Sequence, residues 1–78
     1  MFEFEIQLRS VQDVLDFVAL ATARAFRVTV GDSHHQVDGK SFMEMFCLNF
    51  QSPLHVRLEC TEPEYYQFLW DADRYLVR

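Results

Sequence analysis

Side chains able to hold a metal, a phosphoryl group or a nucleophile are few in this chain. The histidines are His34, His35 and His55. Together with Asp38 they form the one conceivable metal set. Adjacent residues on an extended strand point to opposite faces, so at most one of the pair can join His55; a solvated polar strand is the simpler reading, and no metal is expected. Ser10 precedes an apolar helical pattern, with Asp13 placed for its first turn. Ser41 opens Ser41-Phe42-Met43-Glu44, the S-x-x-E pattern in which hydroxyl and carboxylate satisfy unpaired N–H groups at a helix start. Cys47 and Cys60 lie outside any C-x-x-C pair and make no disulfide framework. They read as buried small hydrophobes in a reducing cytosol. There is no GxGxxG, Walker loop or HExxH. With 2 glycines in the chain a phosphate-cradling loop has nothing to be built from, and no cofactor is expected.

The elements that must position these groups follow from periodicity. Phe2-Glu3-Phe4-Glu5-Ile6-Gln7-Leu8 alternates without a fault, which places its four apolar side chains on one face of a strand. Val11, Val14, Leu15, Val18, Ala21 and Ala25 then recur at helical spacing, widened by Phe17 and Leu20. A helix over 11–25 is predicted, with Ser10 as its N-cap. Phe26, Val28 and Val30 alternate as a second strand before the turn chemistry of Gly31-Asp32-Ser33. Residues 34–38 read weakly as a third, polar strand, and Asp38-Gly39 marks the next turn. A short second helix over 42–48 and a loop over 49–53 lead to a fourth strand, Leu54 to Cys60. Thr61-Glu62-Pro63-Glu64 is a second capping box, with proline in the first turn where its missing N–H costs least. The third helix is expected to run to the chain end, its stripe made of Tyr65, Phe68, Leu69, Ala72, Tyr75 and Leu76, with Tyr66 and Trp70 to one side.

The order β-α-β-β-α-β-α predicts an α/β (α+β) domain: a four-stranded antiparallel sheet covered on one face by two long helices, the short one at its edge. The 78 residues leave room for one domain, about half the typical length. Half of them are hydrophobic and 15% aromatic, too apolar for a disordered chain, and with 8 Phe the core is expected to be Phe-rich. A net charge of −5 disfavours a nucleic-acid partner, which requires a cationic face. No run approaches the ~20 apolar residues of a membrane span, and Glu3 and Glu5 stand where a signal peptide would be basic. A cytoplasmic, non-membrane protein is expected.

This order at this length resembles the histidine-containing phosphocarrier protein HPr of the bacterial sugar phosphotransferase system, an open-faced β-sandwich. The resemblance is strongest over DGKSFMEMFCLNFQSPLHVRLEC, from Asp38 to Cys60. Lys40-Ser41 falls on the Lys-Ser pair that opens the family's second helix, Met43 on its Met or Phe, and Leu48 on its Leu. The departures lie at the Gly-x-His-x-Arg-Pro motif before the first helix. Counting back from Phe26 puts Gln12 at the phosphorylated histidine and Val14 at the arginine; counting from the N-cap puts Ser10 at the histidine. No register supplies His, and a Gln amide is not a nucleophile. Catabolite-repression paralogues of HPr share the Gln and keep the regulatory Ser, although this chain lacks their Arg-Pro.

The resemblance makes Ser41 a regulatory phosphorylation candidate, against which the capping box already explains it. It makes Phe42, Met43 and Phe46 the family's apolar docking patch. At spacing i, i+1, i+4 these cannot all face the sheet; either they form a patch, or Phe42 joins Met45 and Leu48 on the buried side. The expected function is that of a degenerate HPr-like protein, not an enzyme, acting as a cytosolic regulatory or docking module through helix two. The alternatives are a phosphocarrier using Ser10 or Ser41, or a self-associating module, hence a homodimer.

Overall fold

The computed structural model describes residues 1–77. Its elements are β1 (Phe2–Ile6), α1 (Val11–Thr22), β2 (Arg27–Gly31), β3 (Gln36–Asp38), α2 (Phe42–Met45), β4 (Leu54–Glu59) and α3 (Glu62–Asp71), followed by a 3-10 turn, Asp73–Tyr75. The strands form one antiparallel sheet in the order β1-β4-β2-β3. Placing β4 at the centre sets Phe4, Val56, Val30 and Val37 side by side across all four strands.

Alternation divides the sheet cleanly. Ile6, Val28, Val30, Leu54, Val56 and Leu58 are buried and packed with Val14, Phe17, Val18 and Ala21 of α1 and Phe68 of α3. The opposite face carries the row Glu3, Arg57, Thr29, Asp38 and the row Glu5, His55, Gly31, Gln36. No helix among the described residues covers that face, because every residue in these rows except Gly31 is polar and loses nothing by staying in water.

The core is less aromatic than composition suggests. Of the phenylalanines, Phe17 and Phe68 are fully buried, and Phe4, Phe26 and Phe50 pack partly against the core. Phe68 is the hub: its ring lies 5.9 Å from Phe4, 6.0 Å from Phe17 and 6.2 Å from Phe26. Apart from Tyr75 and the small Ala21 and Ala72, the remainder is Val, Leu, Ile and Met, largely branched aliphatic side chains that fill the shallow space over a pleated sheet.

The predicted ends of all three helices shift. α1 stops at Thr22 rather than near residue 25; Arg24 has left the helix, and its guanidinium pairs with Asp71 while lying 5.5 Å from the Phe68 ring. α2 keeps α-helical bonding only to Met45, continuing as tight turns in which the N–H groups of Cys47 and Leu48 donate to the carbonyls of Glu44 and Met45 at 3.0 and 3.1 Å. The third helix does not run to the chain end. After the 3-10 turn the chain becomes extended and pairs with β1: Gln7 N–H donates to the Tyr75 carbonyl at 2.7 Å, and Val77 N–H to the Glu5 carbonyl at 3.1 Å. These bonds satisfy backbone groups on the outer edge of β1 that a continuous helix would have left open.

Candidate functional site

The start of α1 is built by Ser10, whose extended backbone places its hydroxyl to accept the Asp13 N–H at 3.1 Å. The Asp13 carboxylate in turn accepts the Arg9 N–H at 2.9 Å. Gln12 is exposed and donates along the helix to Asp16 at 2.8 Å. Val14 is fully buried in the core. Of the three positions aligned with the phosphocarrier motif, one is a helix cap, one a surface residue and one a core residue.

The histidines lie elsewhere. His34 and His35 belong to the turn between β2 and β3, since the third strand begins only at Gln36. Their predicted place on a strand is corrected by Asp32, whose carboxylate accepts both of their N–H groups, at 2.8 and 2.7 Å, and folds them into a turn. His55 is on the open sheet face, paired with Glu3, and its hydrogen bond holds the Glu3 carboxyl below the usual range. Among the described residues no three His, Cys, Asp or Glu side chains converge. The cysteines are free; Cys60 is half-buried, but Cys47 is exposed rather than buried, because the turns after Met45 carry it to the surface.

The second helix is held at both ends by the β2–β3 hairpin. At its start the Ser41 hydroxyl accepts the Glu44 N–H at 3.3 Å, as the capping pattern requires. The reciprocal half of that box is absent: Glu44 reaches past Ser41 and accepts the Asp38 N–H at 3.2 Å. At its far end Asp32 accepts the Asn49 N–H at 3.0 Å. Asn49, His34 and His35 together give the Asp32 carboxylate three backbone donors, which bring its pKa down from 3.8 to about 2.

This clamping decides which face of α2 is buried. Met45 and Leu48 turn into the core, as expected. Phe42 does not join them; it is 45% exposed, with Phe46 at 43% and Met43 at 84%, so the three form a patch. A four-residue helix has room for one inward side chain, and Met45 takes it. The patch extends beyond the predicted residues. The Phe46 ring meets that of Phe50 edge to face at 6.1 Å, and Gln7 donates to the Phe50 carbonyl at 2.8 Å. Phe50 and Val11 both line a shallow depression beside Ser10. Val11, counted in the buried stripe of the first helix, is 59% exposed there. The spacing of Phe42, Phe46 and Phe50 was the signal for this extension, hidden because residues 49–53 read only as a loop.

No protein-family model matches the chain, and no curated protein does. Among solved structures, HPr-C-His from Thermoanaerobacter tengcongensis is similar over 91% of this chain and 89% of that one, with 22% sequence identity and a TM-score of 0.75. No helix among the described residues is long and apolar enough to cross a membrane. The antiparallel four-stranded sheet with three helices on one face, over nearly the full length of both chains, is the HPr-like open-faced β-sandwich fold.

Proposed function

We propose that this chain is a regulatory or docking module related to the sugar phosphotransferase system, which binds protein partners through α2 and carries no phosphohistidine; it is not an enzyme. The observation that carries this reading is the exposed patch of Phe42, Met43 and Phe46 beside an α1 start that holds Ser10, Gln12 and Val14. Phosphoryl transfer of the HPr type needs an imidazole nitrogen at a helix N-terminus. The nearest chemistry at that place is a hydroxyl already engaged as a cap. Exposed aromatic and Met side chains are costly in water unless a partner covers them, and such anchors concentrate binding energy. Ser41 as a regulatory phosphate site is disfavoured by the same logic, since its hydroxyl caps α2 and Glu44 would repel a phosphate. A cytoplasmic setting accords with two free thiols.

The test is incubation with the general phosphotransferase enzyme and labelled phosphoenolpyruvate, alongside capture of partners by wild type and a Met43→Ser, Phe46→Ser double variant. No acid-labile label should form, and the double variant should fold yet lose its partner. Label on His34, His35 or His55 at the rate of an ordinary carrier overturns the reading. Label on Ser10 or Ser41 would instead support a phosphocarrier with an unusual acceptor.

A further inference from the structure

A second surface lies on α3, away from the α2 patch. α2 packs beside β3, at one edge of the sheet. Tyr65 of α3 stacks on Phe2 of β1, at the other edge, with ring centroids 4.5 Å apart. The inward side of α3 is Phe68, reinforced by half-buried Tyr65 and Leu69. Its outward side presents Glu62, Tyr66 and Trp70 at successive i, i+4 positions, which brings them onto one strip of the helix surface. Trp70, the only tryptophan in the chain, is 81% exposed, and Tyr66 is 60% exposed.

The helix that bears these rings is acidic, and the two cations nearest it are engaged: Arg24 pairs with Asp71, and the Arg74 guanidinium lies 5.4 Å from the Tyr75 ring. α3 reads Glu-Pro-Glu-Tyr-Tyr-Gln-Phe-Leu-Trp-Asp and carries three carboxylates with no lysine or arginine. Two of the three are engaged: Glu64 closes the capping box with Thr61, and Asp71 pairs with Arg24 and accepts from Gln67. Glu62 is exposed and makes no hydrogen bond or ion pair with the described residues. A Trp face attracts cations through its quadrupole, more strongly than Tyr or Phe, and a carboxylate on the same strip adds to the attraction. The same field turns away other occupants. A second copy, also at −5, would set the acidic helix against its own like in a two-fold contact. Nucleic acid and anionic lipid meet the same repulsion.

We propose that the outward face of α3 is a docking site for a basic peptide segment of a partner protein, one Arg or Lys side chain lying on the Trp70 ring beside Tyr66 while Glu62 meets a neighbouring cation. The surface is independent of the α2 reading. The test uses a blocked Arg-Ser-repeat peptide titrated into the whole chain, followed by Trp70 emission and by calorimetry, with a Glu-Ser-repeat peptide as the control. The basic peptide should change the emission and bind more weakly as salt rises; the acidic one should do neither. Trp70→Leu, which keeps an apolar side chain and loses the ring, should weaken binding by roughly two- to thirtyfold, the range one cation–π contact supplies. Glu62→Gln should weaken it as well, whereas Glu5→Gln on the open sheet face and Phe46→Ser on α2 should not.

Absence of binding, or Trp70→Leu binding as tightly as wild type, overturns the proposal, the second outcome because it would mark diffuse attraction to an acidic protein. Self-association abolished by Trp70→Leu in sedimentation over a concentration series overturns it too, by making a second copy the occupant. Trp70 is exposed enough for the variant to fold; if its melting curve is disturbed, Tyr66→Leu reads the same contact.

Discussion

The Asp32 carboxylate accepts the backbone N–H of Asn49 at 3.0 Å, a bond across 17 residues that ties the β2–β3 turn to the end of the α2 region. Because the same carboxylate also accepts from His34 and His35, one side chain shapes the hairpin turn and fixes the helix that bears the Met43 and Phe46 patch.

This arrangement sets the response to acid. Asp32 titrates at about 2 in the folded chain against an ordinary 3.8. A carboxyl depressed on folding contributes its full stability above the unfolded pKa and loses it as pH falls through the folded one. The urea midpoint should therefore decline from about pH 4 down to about pH 2. Glu3 and Asp71, lowered by His55 and Arg24, add in the same sense. Asp32→Asn should be less stable at neutral pH and show a shallower acid decline. An unchanged midpoint at neutral pH would mean that the three bonds contribute nothing net.

The caps of α2 and α3 should differ. Thr61 has a complete box, its hydroxyl accepting the Glu64 N–H at 3.4 Å and the Glu64 carboxylate accepting the Thr61 N–H at 2.9 Å. Ser41 has only the forward half. Thr61→Ala should cost about 1–2 kcal/mol and Ser41→Ala nearer 0.5 kcal/mol in urea melts. The reverse ranking would show that tethering by Asp38 and Asp32 leaves α2 more dependent on its cap than α3 is.

Gly39 is required by contact. A Cβ built there lies 2.8 Å from Val28 Cγ1 and 3.1 Å from Val30 Cγ2, both in the core. Its N–H donates to the Val28 carbonyl at 2.8 Å, so the backbone cannot back away cheaply. Gly39→Ala should destabilise by about 1–3 kcal/mol, the usual cost of overpacking. Denaturation of the variant at or above the wild-type midpoint would show that Val28 finds another rotamer without loss.

Phe68 and Met43 should mark the extremes for apolar truncation. Phe68 is fully buried and touches rings from β1, α1 and the segment before β2. Phe68→Ala should cost about 3–5 kcal/mol, a large share of the stability of a domain of this size. Met43→Ser, at a site 84% exposed, should change stability by less than about 0.5 kcal/mol. Comparable losses at both sites would place Met43 in the core and remove the patch.

Sequence by itself determined the element order and the sheet's two faces. Strand alternation at Phe2, Phe4 and Ile6 and at Leu54, Val56 and Leu58 can be satisfied only with one side buried. Ser10 and Thr61 announced their helices because capping is a local bond between residues three apart. It also left His away from the start of α1. What only the tertiary structure decided depends on contacts between distant residues. Tyr75 to Val77 leave α3 because β1 offers an unpaired edge to Tyr75 and Val77. Glu44 turns to Asp38 rather than to Ser41 because the hairpin brings that N–H within reach. Phe42 and Val11 lie outside because Met45 and Val14 had already filled the space beneath them. Periodicity reports how many apolar side chains a helix carries, but the volume available under it is set by the sheet and by neighbouring helices, which no local pattern records.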